Sequence, residues 1–319
     1  MSQTYHVLHE TLYRYSAPVS LSQHLLHLTP RAFDYQRILH HQIDILPTIT
    51  ECEEHVDWFG NAARWVAVRQ PHETLRLIAA STVEVFPRPL AWRRAGGPAW
   101  EDVAGLLAAF PSNAPLDAQE FALPSAQIPL LEEIRRWAQV SFTPRRRLLE
   151  ATRHLMLRIH QEFRFDPKAS TVSTPVAEIF KRRRGVCQDF SHLMITALRS
   201  LGLAARYMSG YILTHPAPGK PRLIGADASH AWVSVWCPDN GWVGFDPTNN
   251  CQPNLEHVLL GWGRDFSDVT PMRGVILGGA SHEVEVHVTV MPAETRDFTE
   301  LLTEVTARPL EKAEVLVES

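Results

Sequence analysis

The stretch that most constrains this chain is GVCQDFSHLMITALRSLGL, running from Gly185 to Leu203. Phe190, Leu193, Met194, Ala197, Leu198 and Leu201 recur at helical spacing as one apolar stripe, while Ser191, His192, Thr196, Arg199 and Ser200 fall mostly elsewhere. The spacing predicts an amphipathic helix anchored in a core. Gly202 ends it, and Gly185 permits a sharp turn before it. Cys187 then stands on the first helical turn, beside unpaired backbone N–H groups and the positive end of the helix dipole. That setting suits a nucleophile, although a single cysteine in a helix also packs readily as a small hydrophobe. What decides between the two is the chemistry found elsewhere in the chain.

A chain of 319 residues can build two domains and a sizeable core. The formal charge of −4 leaves no basic footprint for nucleic acid. The opening MSQTYHVLHETLYRY lacks the apolar core of a signal peptide, and no apolar run approaches a membrane span, so a cytoplasmic protein without a membrane partner is expected. Cys52, Cys187, Cys237 and Cys251 contain no CxxC pair, so neither a disulfide framework nor a zinc knuckle is expected.

Residues 1–90 read as a β-rich domain, with short alternating or β-branched segments at 6–15, 38–46, 64–68 and 81–86. His24 and His27, or the adjacent His40 and His41, lack a carboxylate or cysteine that would complete a metal site. Residues 91–143 carry Gly96, Gly97, Pro98, Pro111, Pro115, Pro124 and Pro129, the composition of a connector with short helices. Helices are expected at 130–140 and 144–162, and a third from Pro175, capped by Ser173 or Thr174 with Glu178 as capping-box partner. The basic run 181–184 reads mainly as helix-end charge facing water. Strands follow at 204–213, 231–237 and 242–246, then another at 282–290 that should extend the same sheet. A core over 144–292 and a polar tail over 293–319 complete the expected organisation.

In SHAWVSVW, alternation puts Ala231, Val233 and Val235 on one face and Trp232, Ser234 and Trp236 on the other, with His230 at the strand's start. Asn240-Gly241 is a hairpin signal, and the returning strand GWVGFDPTNN leaves through Asp246. The hairpin brings His230 near Asp246, but the two arms differ in length, so direct contact needs a bulge or offset. Cys187, His230 and Asp246 form a coherent set: a thiolate to attack an acyl carbon, an imidazole to shuttle the proton, and a carboxylate to orient it. No metal or cofactor is needed for that chemistry. Trp232, Trp236 and Trp242 read as core or cleft wall, Asp189 and His192 as bonding locally within the helix, and Asn249 and Asn250 as turn formers.

GVCQDFSHL, SHAWVSVW and GWVGFDPTNN, in that order, resemble the transglutaminase-like branch of the papain-type thiol enzymes. The β-rich start resembles the N-terminal domain of bacterial members, and GRDFSDVTPMRGVILGG resembles their continuation. The resemblance implies an α+β fold in which the cysteine helix packs on an antiparallel sheet. It also implies Cys187 as nucleophile, His230 as general base and acid, Asp246 as orienting carboxylate, and an upstream oxyanion side chain for which Gln161 and Gln188 are candidates. A peptide or protein substrate is expected, cleaved through a thioester. The alternatives are acyl transfer to an amine and a catalytically silent peptide-binding module. Oligomeric state is not legible in the sequence.

Overall fold

The computed structural model describes residues 1–89, 97–109, 114–215, 224, 225, 227–308 and 310. Gly96 and Pro111 of the expected connector, and residues 311–319 of the expected tail, lie outside these. The N-terminal half is built on one long strand, β1 (Gln3–Leu26), followed by β2 (Gln36–Leu46), β3 (Glu51–Val56), β4 (Ala62–Val68) and β5 (His72–Val85). The alternation at 6–15 marks only part of β1, because the strand changes partners along its length. Its first half pairs with β5, and after a register shift between Arg14 and Val19 its second half pairs with β4. The sheet runs β2-β5-β1-β4-β3. His24 therefore lies on a strand, and His27 just beyond it meets Asp57 at 3.6 Å and the Thr270 carbonyl at 3.3 Å.

Helices α1 (Trp100–Ala108), α2 (Leu116–Glu120), α3 (Glu132–Gln139) and α4 (Leu148–Glu162) come next. Helix α4 starts four residues later than expected, because Arg145 takes a left-handed conformation with φ of 63°. The short strand β6 (Arg164–Phe165) leads to α5 (Val176–Arg182), and β7 (Arg184–Gly185) to α6 (Cys187–Ser200). The expected capping box on α5 does not form. Pro175 occupies the cap position, Thr174 accepts the Thr171 N–H at 2.9 Å, and Glu178 pairs with Arg182.

Four antiparallel strands make the second sheet: β8 (Ala205–Ile212), β9 (Ser229–Cys237), β10 (Gly241–Phe245) and β11 (His257–Gly263), in the order β10-β9-β8-β11. Helix α6 lies on the face bearing Ala205, Tyr207, Ala231, Val233, Val235 and Val243, with α4 packed beyond it through Leu148, Leu155 and Ile159. Each such fully buried large side chain contributes about 1.5–3 kcal/mol. This apolar contact holds the α6 N-terminus against the sheet.

The chain then returns to its origin. Strands β12 (Met272–Gly278) and β13 (His282–Pro292) pair with β1, so the segment expected to extend the α6-bearing sheet completes the N-terminal one instead. The reason is that β1 offers unpaired edges on both halves of its length, and backbone groups in a core must find partners. The tail forms α7 (Phe298–Thr306), capped by Asp297 accepting the Thr299 N–H at 2.8 Å.

The two sheets are joined by a second apolar cluster in which Tyr5, Val7, Leu77, Val83 and Val290 meet Tyr211, Leu213, Val258 and Leu260. The open edge of β11 is finished by two side-chain amides. Gln36 accepts the Leu259 N–H at 2.7 Å and donates to its carbonyl at 2.8 Å; Asn61 does the same for Trp262 at 3.0 and 2.8 Å. Both amides stand in for a missing neighbour strand. Among the described residues, no helix is long and apolar enough to cross a membrane.

Candidate active site

Cys187 is the first residue of α6, and the turn before it is shaped by Asp189. That carboxylate folds back to accept the Val186 N–H at 2.8 Å and the Ser170 hydroxyl. Burial raises its pKa, opposed by those two bonds. A Cβ on residue 185 would lie 2.6 Å from the Asp189 carboxylate oxygen, so glycine is required there by space. The half-buried Cys187 side chain lies close enough to His230 to raise the pKa of its imidazole. The basic run before it is engaged locally: Arg182 with Glu178, Arg183 with Glu162 at 3.2 Å, and Arg184 with Asp166 at 3.9 Å. Of the two oxyanion candidates, Gln188 donates to the Val172 carbonyl at 3.1 Å, and Gln161 is exposed at the end of α4.

On the sheet side, the β9–β10 ladder ends at Phe245 opposite Val233, a register that would set Asp246 opposite Trp232. The offset expected from the sequence is made by Asp246 turning out of the strand, its backbone pairing with Cys251 at 2.8 and 3.3 Å. Its Oδ2 then lies 2.7 Å from His230 Nε2. Oδ1 accepts the N–H groups of Thr248 at 2.9 Å and Asn249 at 3.1 Å. Asn249 does more than form a turn, because its Nδ2 also donates to Oδ2 at 2.8 Å.

Asp246 has no exposed surface. Burial alone would raise its pKa, but the hydrogen bonds and charges of His230 and His257 hold it well below the usual carboxylate range. His230 is the mirror case. Burial lowers its pKa, and the bonds and charges of Asp246 and Cys187 outweigh burial and raise it to about 10. The pair is thus an imidazolium on a carboxylate, with Cys187 beside the ring.

One residue of this cluster carries no signal in the sequence. His257, at the start of β11, places Nε2 3.2 Å from Asp246 Oδ2 and is buried. Nothing about an isolated histidine in NLEHVLLGW marks it, because only the fold brings β11 to this point. His230, Asp246 and His257 are also a group whose donor atoms, all within 4.8 Å of one another, have the types that hold a metal ion. Here those atoms are bonded to one another. His192 does not bond within its helix as expected; its Nε2 accepts the Phe266 N–H at 3.2 Å, clasping the GRDFSDV turn onto α6. That turn is organised by Asp265 and Asp268, which accept N–H bonds from Ser267 and Arg264 at 2.9 and 2.8 Å.

Two cavities lie in this part of the molecule, and neither is lined by Cys187, His230, Asp246 or His257. One of about 290 Å³ is lined by Gln127, Leu131, Val172, Thr174 and His192. The other, of about 410 Å³, lies on the sheet face away from α6 and is walled by Trp232, Trp242, Trp262, Phe33, Arg88 and Arg206.

A cysteine on a helix N-terminus, facing a histidine and an aspartate on an antiparallel sheet, is the arrangement of the papain-like cysteine protease fold. Residues 5–84 match the bacterial transglutaminase-like N-terminal region, and residues 135–247 match the transglutaminase-like superfamily. The chain belongs to this transglutaminase-like family, in the bacterial form that carries the additional N-terminal domain. It is 40% identical over 299 residues to an uncharacterized protein of Mycobacterium tuberculosis, covering 91% of this chain and 93% of that one. It is 31% identical over 134 residues to the protein-glutamine gamma-glutamyltransferase of Pseudomonas aeruginosa, covering 37% of this chain and 20% of the enzyme. The crystal structure of a proposed cysteine protease from Cytophaga hutchinsonii shares the fold, with a TM-score of 0.72 at 18% identity over 92% of this chain and 91% of that one.

Proposed function

We propose that the protein is a cysteine amidohydrolase that cleaves a peptide or isopeptide bond through a thioester. The observation that carries this reading is the double engagement of His230, bonded at Nε2 to Asp246 and beside Cys187. In this reading the Cys187 proton sits on His230, the thiolate sulfur attacks the carbonyl carbon, and the negative charge collecting on the carbonyl oxygen meets the backbone N–H of Cys187 at a helix N-terminus. The C–N bond breaks as the His230 imidazolium gives its proton to the departing nitrogen. Neutral His230 then takes a proton from water, which attacks the thioester, and the carboxylic acid leaves as the Cys187 thiolate and the His230 imidazolium are restored. Asp246 stays ionised throughout and keeps the ring oriented.

Acyl transfer to an amine is the second reading, supported by the likeness to the Pseudomonas aeruginosa glutamyltransferase. Both share the thioester and differ only in what attacks it. Mass spectrometry of a glutamine peptide incubated with the protein and a primary amine separates them. Hydrolysed product should dominate, and a dominant amine adduct would replace hydrolase by transamidase.

A further inference from the structure

We propose that His257 is a positioning residue, a neutral imidazole whose Nε2–H donates to Asp246 Oδ2 and keeps that carboxylate aimed at His230. This rests on reading Cys187, His230 and Asp246 as the reacting groups. Asp246 Oδ2 gathers three donors: His230 Nε2 at 2.7 Å, Asn249 Nδ2 at 2.8 Å and His257 Nε2 at 3.2 Å. An ionised carboxylate oxygen only accepts, so the His257 proton belongs on Nε2 and its Nδ1 carries a lone pair. That Nδ1 is buried and, among the described residues, has no hydrogen-bond partner. A second proton there would have no acceptor.

The charged groups facing His257 are Asp246, His230 from β9 and Arg88 beyond β5. The two cations oppose a further positive charge, and the two imidazole centroids are 6.0 Å apart with one carboxylate between them. Burial acts in the same sense and outweighs Asp246, so His257 titrates below an ordinary histidine while His230 titrates above one. One aspartate therefore serves two histidines in different roles: His230 as the proton carrier, His257 as a fixed donor.

The sheet has a device for bringing them together. β11 and β9 are not neighbours, since β8 runs between them. In β8 the residue paired with His230 is Gly210, where a Cβ would fall 2.1 Å from the Val258 carbonyl and 2.8 Å from the Trp232 ring. The Trp232 indole fills that gap. It stacks on His230 with centroids 6.1 Å apart and meets His257 edge-on at 5.3 Å, holding both rings in place.

The test is the rate of iodoacetamide labelling of Cys187 against pH, followed on its own peptide by mass spectrometry, in the full chain and in His257→Phe, His257→Gln and His230→Ala. Loss of one donor to the buried carboxylate should slow labelling of His257→Phe at pH 6 by about tenfold. His257→Gln, which can return an amide N–H to the same oxygen, should stay within about twofold of the wild type. A folded His257→Phe with the wild-type profile, or equal losses in Phe and Gln, would overturn the role of His257. An unchanged profile in His230→Ala would instead overturn the reading of the trio. Should His257→Phe not fold, nitrogen NMR of the wild type decides: His257 as the neutral Nε2–H tautomer at pH 7 is expected, and an Nδ1–H tautomer or an imidazolium there rejects the proposal.

Discussion

His230 Nε2 stands 2.7 Å from Asp246 Oδ2, although the strand register carrying them would set Asp246 opposite Trp232. A local turn at Asp246 closes that offset, and the contact ties one histidine to the α6 N-terminus and to a carboxylate with no exposure. The pH dependence of stability follows. The folded pKa of His230 is raised to about 10, so its contribution is complete below the ordinary histidine value and is lost as pH rises through about 10. Asp246 is lowered, so its contribution is complete above the ordinary carboxylate value and is lost as pH falls toward its depressed folded pKa. Asp246→Asn should cost about 3–5 kcal/mol near pH 6, the loss for breaking a buried pair, with a smaller gap by pH 10. Urea unfolding across pH checks this; a constant gap would mean that the pair is not ionised.

Cys187→Ala and His230→Ala should each lower turnover of a peptide substrate by about a thousandfold or more, since removing either ends nucleophilic catalysis. Cys187→Ala should melt within a few degrees of the wild type and still bind peptide. Undiminished turnover in that variant would remove Cys187 as the nucleophile.

Gly210→Ala places a methyl 2.1 Å from the Val258 carbonyl and 2.8 Å from the Trp232 ring, so the structure must shift to admit it. The expected cost is about 1–3 kcal/mol, accompanied by loss of turnover because Trp232 holds His230 and His257. Denaturant midpoints and activity measured together test it. A destabilised variant with full activity would show that the Trp232 contact does not position the histidines.

His9, His24, His41 and His192 are each lowered to about 4, in every case chiefly by burial. A depressed histidine contributes stability above its unfolded value near 6.5, and that stability is lost as pH falls through about 4. Acid unfolding should therefore begin below about pH 6.5, earlier than carboxylates alone would dictate, and His192→Gln should shift it to lower pH. Circular dichroism against pH gives the midpoint. A midpoint unmoved in His192→Gln would assign the acid sensitivity to other groups.

Local periodicity and turn chemistry made much of the architecture legible in advance. The apolar stripe from Phe190 to Leu201 specifies α6 because a helix repeats every 3.6 residues, and the turn signal ending at Gly241 specifies the β9–β10 hairpin because that glycine takes the left-handed φ of 65° that closes it onto Cys237. Those two signals also place Cys187, His230 and Asp246 near element ends. Tertiary structure decided what depends on distant partners. Strands β12 and β13 return to β1 rather than join the α6-bearing sheet, because ladder pairing is chosen by which edges are open in three dimensions. His257 reaches Asp246 across a strand whose glycine leaves room for an indole, a relationship among residues 210, 232, 246 and 257 that no local pattern encodes. Helix and hairpin preferences act over a few residues, whereas sharing one buried carboxylate between two histidines is a property of the assembled core.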